Sequence, residues 1–337
     1  VAEQIIALGH ELLFIGNADG MESRIIPSAG YEFAPIKVQK LYRKLTPRLI
    51  TFPWHLLSST VKCIGLIRTF KPRAVFCTGG FVSGPVAAAA VLTRTPLFFH
   101  ESNSLPGITT KAFSRFARVT YISFAGSRKY LRGNLIDTGV PLLSRVQAHE
   151  DFDPKSLGLD GSKPIILISG GSQGSESINK VVDNTMADIL GMGFEVIWQT
   201  GKTGYKRLRE KYSSASGVFI FDFSDRLPQF YQCAFMAITR AGAMTLAELE
   251  ENRLPAILVP LPTAAENHQF VNAMAQQDKG FAIVLEQKNL NPASLMDAIK
   301  TIQTKHEAYT GALAKLPPNT AARDVTVHMI KCLDKGR

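Results

Sequence analysis

Short apolar runs alternate with helix-length stretches along the whole chain. In the first half the runs are Glu11–Ile15, Ala74–Cys77, Leu97–His100 and Val119–Ile122. In the second half they are Ile165–Ser169, Glu195–Gln199, Val218–Phe221, Phe235–Thr239 and Ala256–Val259. Helical patterns lie between them, as in Gly84–Leu92, Ser177–Gly191 and Thr245–Asn252. This alternation predicts parallel sheets with crossover helices. The fold class is α/β, read as two Rossmann-like domains facing across a cleft. Residues 1–148 form the first domain and 149–320 the second, joined at the polar, proline-bearing stretch His149–Pro154. Residues 321–337 read as a C-terminal helix packing back toward the first domain. No short-period repeat or low-complexity segment interrupts the pattern. The first residues, Val1–His10, read as the back half of an amphipathic helix ending at Gly9, so an N-terminal segment is expected to precede them.

The 337 residues suit two domains of about 150 each, and 45% hydrophobic with 20% charged residues excludes a disordered or collagenous chain. Cys63, Cys77, Cys233 and Cys332 lie far apart with no Cys-x-x-Cys pair, which favours free thiols over a structural zinc site. No apolar run reaches the ~18 residues of a membrane-spanning helix, and no signal peptide is visible. The net charge of +10 changes the picture, because it is one-sided. Residues 1–150 carry 18 Lys and Arg against 8 Asp and Glu, whereas residues 151–337 carry 20 of each. Such a basic half suits nucleic acid, an anionic membrane surface or a phosphorylated substrate, or is simply a solvated surface.

Candidate chemistry sits at the strand–helix boundaries. Gly170-Gly171-Ser172-Gln173-Gly174-Ser175 follows the strand Ile165–Ser169 and opens a helix. Helix N-termini present free N–H groups and a positive dipole end, which suits phosphate. A structural tight turn is the alternative, since the sequence is neither a dinucleotide fingerprint nor a P-loop. Thr239-Arg240-Ala241-Gly242-Ala243-Met244-Thr245 repeats the arrangement, with Glu248 a turn further on. A carboxylate there can take the two hydroxyls of a ribose, or can simply favour the helix dipole. Two such loops in one half favour a diphosphate ligand.

Downstream, Glu266, Asn267, His268, Gln269 and Asn272 form a polar patch. Amides and imidazole suit sugar hydroxyls, which need donors and acceptors; an ordinary first helical turn is the other reading. In the first half, Thr78–Pro85 and His100-Glu101-Ser102-Asn103 also end strands, where open α/β sheets bind ligands. No nucleophile triad or metal-ligand cluster is recognisable. Finally, Lys40, Arg43, Lys44 and Arg48 interleave with Leu49, Ile50 and Trp54. That mixture suits a membrane interface, or an amphipathic helix packed on the core. Pro47 and Pro53 argue against a single long helix there.

Taken in order, Gly79–Pro85, His100–Asn103, Gly170–Gly174, Arg240–Thr245 with Glu248, and Glu266–Gln269 with Asn272 resemble the MurG family. These are the bacterial N-acetylglucosaminyltransferases of glycosyltransferase family 28 that convert lipid I to lipid II in peptidoglycan synthesis. Gly16–Glu22 likewise resembles the loop after the family's second strand. The resemblance covers nearly the whole chain and implies the two-domain GT-B architecture. It implies an inverting transfer of GlcNAc from UDP-GlcNAc to the MurNAc 4-hydroxyl of lipid I. It assigns donor binding to Gly171, Ser172, Gln173, Ala243, Met244, Thr245, Glu248, His268 and Gln269. The acceptor side falls to Asn103, Gly79, Gly80 and Ser83. Membrane contact would fall to Lys40, Arg43, Lys44, Arg48, Leu49, Ile50 and Trp54. No metal, other cofactor or nucleic acid is implied. The implied location is peripheral, on the cytoplasmic face of the bacterial plasma membrane, among cell-wall synthesis and division proteins.

Three departures bear on activity. The family's opening strand and Gly-Gly-Thr-Gly-Gly-His loop, which carries its candidate base, precede the point where this sequence opens, so no catalytic residue is assigned. The family's Gly-Asn-Pro-Val-Arg reads Gly139-Val140-Pro141-Leu142-Leu143. The first Gln of its Gln-Gln pair is His268. An inactive or partner-dependent UDP-sugar-binding module, and a UDP-GlcNAc 2-epimerase, are therefore the competing readings.

Overall fold

The computed structural model describes residues 1–38, 48–147, 152–171, 173–264 and 267–335. The chain divides into two units, Val1–Pro141 with Thr320–Arg337, and Leu142–Asn319.

In the first unit, α1 (Ala2–Ala7) leads to β1 (Leu13–Asn17), α2 (Glu22–Ser28) and β2 (Glu32–Ile36). The long α3 (Arg48–Phe70) leads to β3 (Val75–Cys77), α4 (Ser83–Leu92), β4 (Leu97–Glu101), α5 (Ile108–Phe113), β5 (Val119–Ile122) and β6 (Leu135–Asp137). All pairings are parallel, in a four-stranded sheet β3-β4-β5-β6 and a separate pair β1-β2. The two sheets share one core. Ile36 and Ile15 pack with Cys63 and Ile67 of α3, Val86 of α4, and Val75 and Phe99 of the larger sheet. The opposite face buries Phe98, Val119 and Tyr121 under Ile5 of α1 and the C-terminal residues Val325 and Met329.

Two expectations need correction here. β1 runs two residues later than Glu11–Ile15, because polar Asn17 is tied in: its N–H reaches Glu22 Oε1 at 2.9 Å and its Oδ1 takes the Val38 N–H at 3.3 Å. Pro53 also does not break the helix. It sits in the second turn of α3, so the only helical bond its ring removes is to the Leu49 carbonyl. Burial of Cys63 and Ile67 against α4 further along outweighs that loss.

The second unit begins before the expected linker. Leu142 and Val146 are already buried, the latter on the short α6 (Ser144–Gln147). The Phe152 ring packs 5.5 Å from that of Phe230. Then follow β7 (Ile165–Ser169), α7 (Glu176–Gly191), β8 (Glu195–Gln199), α8 (Gly201–Lys211), β9 (Val218–Phe221), α9 (Leu227–Cys233), β10 (Met236–Thr239) and α10 (Ala243–Glu251). The unit closes with β11 (Ala256–Leu258), α11 (His268–Asp278), β12 (Ala282–Val284), α12 (Pro292–Thr304) and α13 (His306–Ala314). One parallel sheet runs β12-β11-β10-β7-β8-β9. Strand residues alternate faces. Ile166, Ile168, Val196, Trp198, Met236 and Ile238 accordingly form one core with Ile178, Val182, Met186 and Ile189 of α7 and Leu295, Ile299 and Ile302 of α12.

The strand order locates the ligand edge. From β7 the chain moves outward through β8 and β9, then returns to β10 on the other side of β7 and moves outward the opposite way. The crevice of such a sheet opens beyond the carboxyl ends of the two strands at the reversal, here β7 and β10. Afterwards the chain returns to the first unit as α14 (Ala321–Asp334), where Arg118 donates to the Cys332 carbonyl at 2.8 Å and Arg73 pairs with Asp334.

Candidate functional site

The loop after β7 is made of backbone brought close to backbone. Gly171 and Gly174 adopt φ of +86° and +75°, in the left-handed region that favours glycine. The Gly171 N–H is held by Ser169 Oγ at 3.2 Å, and Ser169 Oγ donates to Gln199 Oε1 at 3.0 Å. Ser175 then caps α7 by accepting the Ile178 N–H. Gln173 is exposed on this loop, and Ser172 lies outside the described residues.

The loop after β10 starts α10 with Gly242 at its cap. Ala243 is buried, and Met244 and Glu248 lie one turn apart on the outer face. Thr245 is half-buried between them. Glu248 Oε2 accepts a hydrogen bond from the buried Tyr231 hydroxyl at 3.1 Å.

Arg240 joins the two loops. Its Nη1 donates to the carbonyls of Val259 at 3.0 Å and Pro260 at 3.3 Å. Its Nη2 reaches Ser175 Oγ at 2.6 Å, Ser177 Oγ at 3.0 Å and Gln287 Oε1 at 2.8 Å. These five acceptors are neutral, and Arg240 is only 9% exposed. Burial disfavours the charged form and lowers its pKa below the usual guanidinium value, yet an arginine side chain stays protonated in proteins. A buried cation whose acceptors are all neutral is costly in a folded protein. Here it lies beside the starts of two helices that begin at the sheet's crevice.

The polar patch contributes differently from expectation. Gln269 Oε1 accepts the N–H groups of Ala241 at 3.3 Å and Leu261 at 3.0 Å, so the carbonyl of this side chain holds the Arg240 loop in place. The other end of this side chain is its amide NH2, a pair of donors. Asn272 is fully buried and reaches the Ala241 carbonyl at 3.5 Å. His268 is half-buried at the first position of α11, after Asn267 at φ +56°. Glu266 lies outside the described residues.

In the first unit Gly79 and Gly80, at φ +80° and +78°, precede α4. Ser83 Oγ donates to the Gly79 carbonyl, and Thr109 Oγ1 to the Gly80 carbonyl at 2.9 Å. The buried Glu101 carboxylate accepts the N–H of Asn103 at 3.1 Å, its Nδ2 at 3.4 Å, and the N–H of Gly107 at 3.1 Å. A Cβ placed on Gly79 would come within 4.0 Å of Glu101 Oε2, so Gly79, Gly80, Ser83 and Asn103 share one edge. His100 Nε2 donates to the Gly139 carbonyl at 2.9 Å while Nδ1 takes the Ser102 hydroxyl at 3.2 Å. Burial pushes its pKa down to about 4, so this histidine is neutral at physiological pH and fixed in one tautomer.

Of the basic, aromatic segment, Lys40, Arg43 and Lys44 lie outside the described residues. Arg48, Leu49 and Ile50 start α3, and Trp54 is 72% exposed. Sequence reasoning missed Leu57 and Val61, which are 57% and 60% exposed. With Trp54 they fall at i, i+3 and i+7 on one face of α3. It also missed the Arg240 and Tyr231 contacts, whose partners lie on other segments.

Comparison with known proteins fits this geometry. Residues 1–122 match the glycosyltransferase family 28 N-terminal domain and residues 165–325 its C-terminal domain. The chain is 33% identical to a Desulfitobacterium hafniense protein over 335 residues, covering 96% of this chain and 90% of that one. That relative is named UDP-N-acetylglucosamine–N-acetylmuramyl-(pentapeptide) pyrophosphoryl-undecaprenol N-acetylglucosamine transferase. The chain belongs to glycosyltransferase family 28. A family member of the same name from Flavobacterium psychrophilum is 32% identical over 333 residues, with 97% and 90% covered. Among solved structures, Acinetobacter baumannii MurG superposes with a TM-score of 0.79 at 24% identity, over 98% of this chain and 94% of that one. A Listeria monocytogenes protein described as a putative UDP-N-acetylglucosamine 2-epimerase reaches 0.67 at 10% identity, with 96% of each covered. That second likeness is one of fold alone, and the transferase names of the family relatives do not favour the epimerase reading. The two-unit parallel α/β fold and the glycosyltransferase class read from the sequence both hold.

Proposed function

We propose that this chain transfers GlcNAc from UDP-GlcNAc to the MurNAc 4-hydroxyl of undecaprenyl-pyrophosphoryl-MurNAc-pentapeptide, giving the disaccharide lipid and UDP. The observation that carries the reading is the pair of glycine-bearing loops at the β7–β10 reversal, joined by Arg240, in a chain of this family. The acceptor oxygen attacks the anomeric carbon from the face opposite the diphosphate. The bond from that carbon to the phosphate oxygen breaks, the configuration inverts, UDP leaves with the electron pair, and the acceptor hydroxyl's proton is released to solvent. Charge grows on the leaving diphosphate, and two helix N-termini with a buried guanidinium behind them stabilise that growth. Gly171, Ser172, Gln173, Ala243, Met244 and Thr245 bind the diphosphate. Glu248 takes the ribose, and His268 with the Gln269 amide takes the sugar. Gly79, Gly80, Ser83 and Asn103 form the acceptor edge of the first unit.

Glu248→Ala tests the donor half. It is expected to weaken UDP binding by about 1–3 kcal/mol, the scale of hydrogen bonds to a charged group. Calorimetry giving an unchanged Kd removes Glu248 from the ribose.

The acceptor's lipid tail calls for membrane docking, and no described helix is long and apolar enough to cross a membrane. The first unit is the docking half, through the exposed Trp54–Leu57–Val61 face and the basic residues that precede it in the sequence. Apolar insertion gives salt-resistant binding, and each Lys or Arg near an anionic leaflet adds roughly 1 kcal/mol. Changing Trp54, Leu57 and Val61 together to Ala is expected to reduce co-sedimentation with vesicles at high salt. Changing Lys40, Arg43, Lys44 and Arg48 to Gln is expected to reduce the preference for anionic over neutral vesicles. Unchanged bound fractions in both variants place the membrane face elsewhere.

A further inference from the structure

A glutamate on an outer helix face has a long, freely rotating side chain, yet the Glu248 carboxylate is met from behind. Tyr231 lies on α9, is 1% exposed, and points its hydroxyl at Glu248 Oε2 across 3.1 Å. A buried phenol requires a partner for its O–H. The neighbouring residue fixes the seat of this helix: the Phe230 ring lies 5.3 Å from Phe221 at the end of β9 and 5.5 Å from Phe152. α9 cannot drift without breaking that aromatic cluster, so the hydroxyl is held at a set place beside α10. Burial and the charge of Glu248 also push the phenol's pKa well above 10, which keeps it a donor throughout the neutral range.

We propose that Tyr231 is a positioning residue that aims the Glu248 carboxylate at the ribose, so that discrimination of ribonucleotides from 2′-deoxyribonucleotides depends on a hydroxyl that does not touch the nucleotide. The inference rests on the assignment of Glu248 to the ribose made above. A carboxylate has about four lone-pair sites. Tyr231 occupies one on Oε2, and a vicinal diol brings two donors. Orienting the side chain before the nucleotide arrives removes rotamer entropy that binding must otherwise overcome. The gain applies only to a ligand that offers both hydroxyls.

The test is calorimetry on the whole chain with UDP and 2′-deoxy-UDP, for the wild type, Tyr231→Phe, Glu248→Ala and the double variant. Phe keeps the buried ring and deletes only the hydroxyl. Tyr231→Phe is expected to weaken UDP by roughly three- to tenfold, the scale of one net hydrogen bond, with 2′-deoxy-UDP nearly unchanged. The double variant should then bind like Glu248→Ala alone. Equal weakening of both nucleotides by Tyr231→Phe overturns the inference, since a general packing role has that signature. So does an undiminished UDP preference in Tyr231→Phe when Glu248→Ala loses it, and both of these outcomes leave the Glu248 assignment standing. A preference that survives Glu248→Ala, or is absent from the wild type, overturns that assignment and the inference with it.

Discussion

Gly174→Ala is expected to abolish measurable UDP binding and to destabilise the second unit by about 2–5 kcal/mol. A Cβ at Gly174 would lie 2.3 Å from the Thr200 carbonyl oxygen and 2.8 Å from Gly201 Cα. The reverse holds as well: a Cβ on Gly201 would meet the Gln173 carbonyl oxygen at 2.5 Å and Gly174 Cα at 2.6 Å. Two backbones thus touch with no room for a methyl group. Thr200 cannot retreat cheaply, because its carbonyl accepts Asn179 Nδ2 at 2.8 Å, and Asn179 Oδ1 in turn takes the buried Trp198 Nε1–H at 3.1 Å. The expected cost combines the left-handed φ, about 1–2 kcal/mol for a residue with a Cβ, with about 1–3 kcal/mol of overpacking. Gly171→Ala separates the two contributions. Its φ is +86°, but nothing lies within 4 Å of the added Cβ, so only the first applies. Denaturant melts of the two variants beside the wild type measure the difference. Equal destabilisation by both would show that the Gly174–Gly201 contact does not constrain the loop.

That contact illustrates what a sequence does and does not display. The glycines of the β7 loop were legible because they interrupt a continuous apolar run at a strand–helix boundary. Their partner at Gly201 was not, since proximity across a sheet leaves no local trace. The central strands Ile165–Ser169 and Glu195–Gln199 were found end to end, being buried along their whole length. β2, β6 and β12 were missed, and all three are sheet edges. An edge strand buries less and tolerates Pro35, so its composition resembles a loop. α3 was misjudged through its prolines, because the compensating burial of Cys63 and Ile67 lies more than two turns beyond Pro53. In the candidate site, loop positions were readable one by one. The roles of Arg240, Tyr231 and Gln269 were not, because each depends on which atoms the fold brings to it. Gln269 shows this most clearly, as its type suits a sugar while its carbonyl oxygen serves the backbone of two loops.

Arg240→Met is expected to lower kcat by roughly 10²–10³-fold, the scale of removing one preorganised group that stabilises developing negative charge. The side chain does two things at once, and the variants can separate them. As a fastener, it gathers Ser175 and Ser177 from α7, Gln287, and the Val259 and Pro260 carbonyls onto the end of β10. Each hydrogen bond to a charged group contributes about 1.5–3 kcal/mol, so Met, which fills similar volume, leaves several buried acceptors unmatched. As a charge, it sits where all its protein acceptors are neutral, close to the start of α7 and at the approach to α10. The fastening role bears on any ligand of the crevice, whereas the charge bears only on an anionic one. Uridine and UDP therefore divide the effect. If the charge dominates, Arg240→Met weakens UDP by tenfold or more and changes uridine little, while Arg240→Lys retains part of the UDP affinity despite losing the planar fork. If the fastening dominates, both ligands weaken together and Lys rescues neither. Steady-state turnover of Arg240→Met within tenfold of wild type would show that neither role matters to the transfer. The five neutral acceptors around a desolvated cation argue that the charge dominates, because a fastener alone needs no charge that the surrounding acceptors leave unmatched.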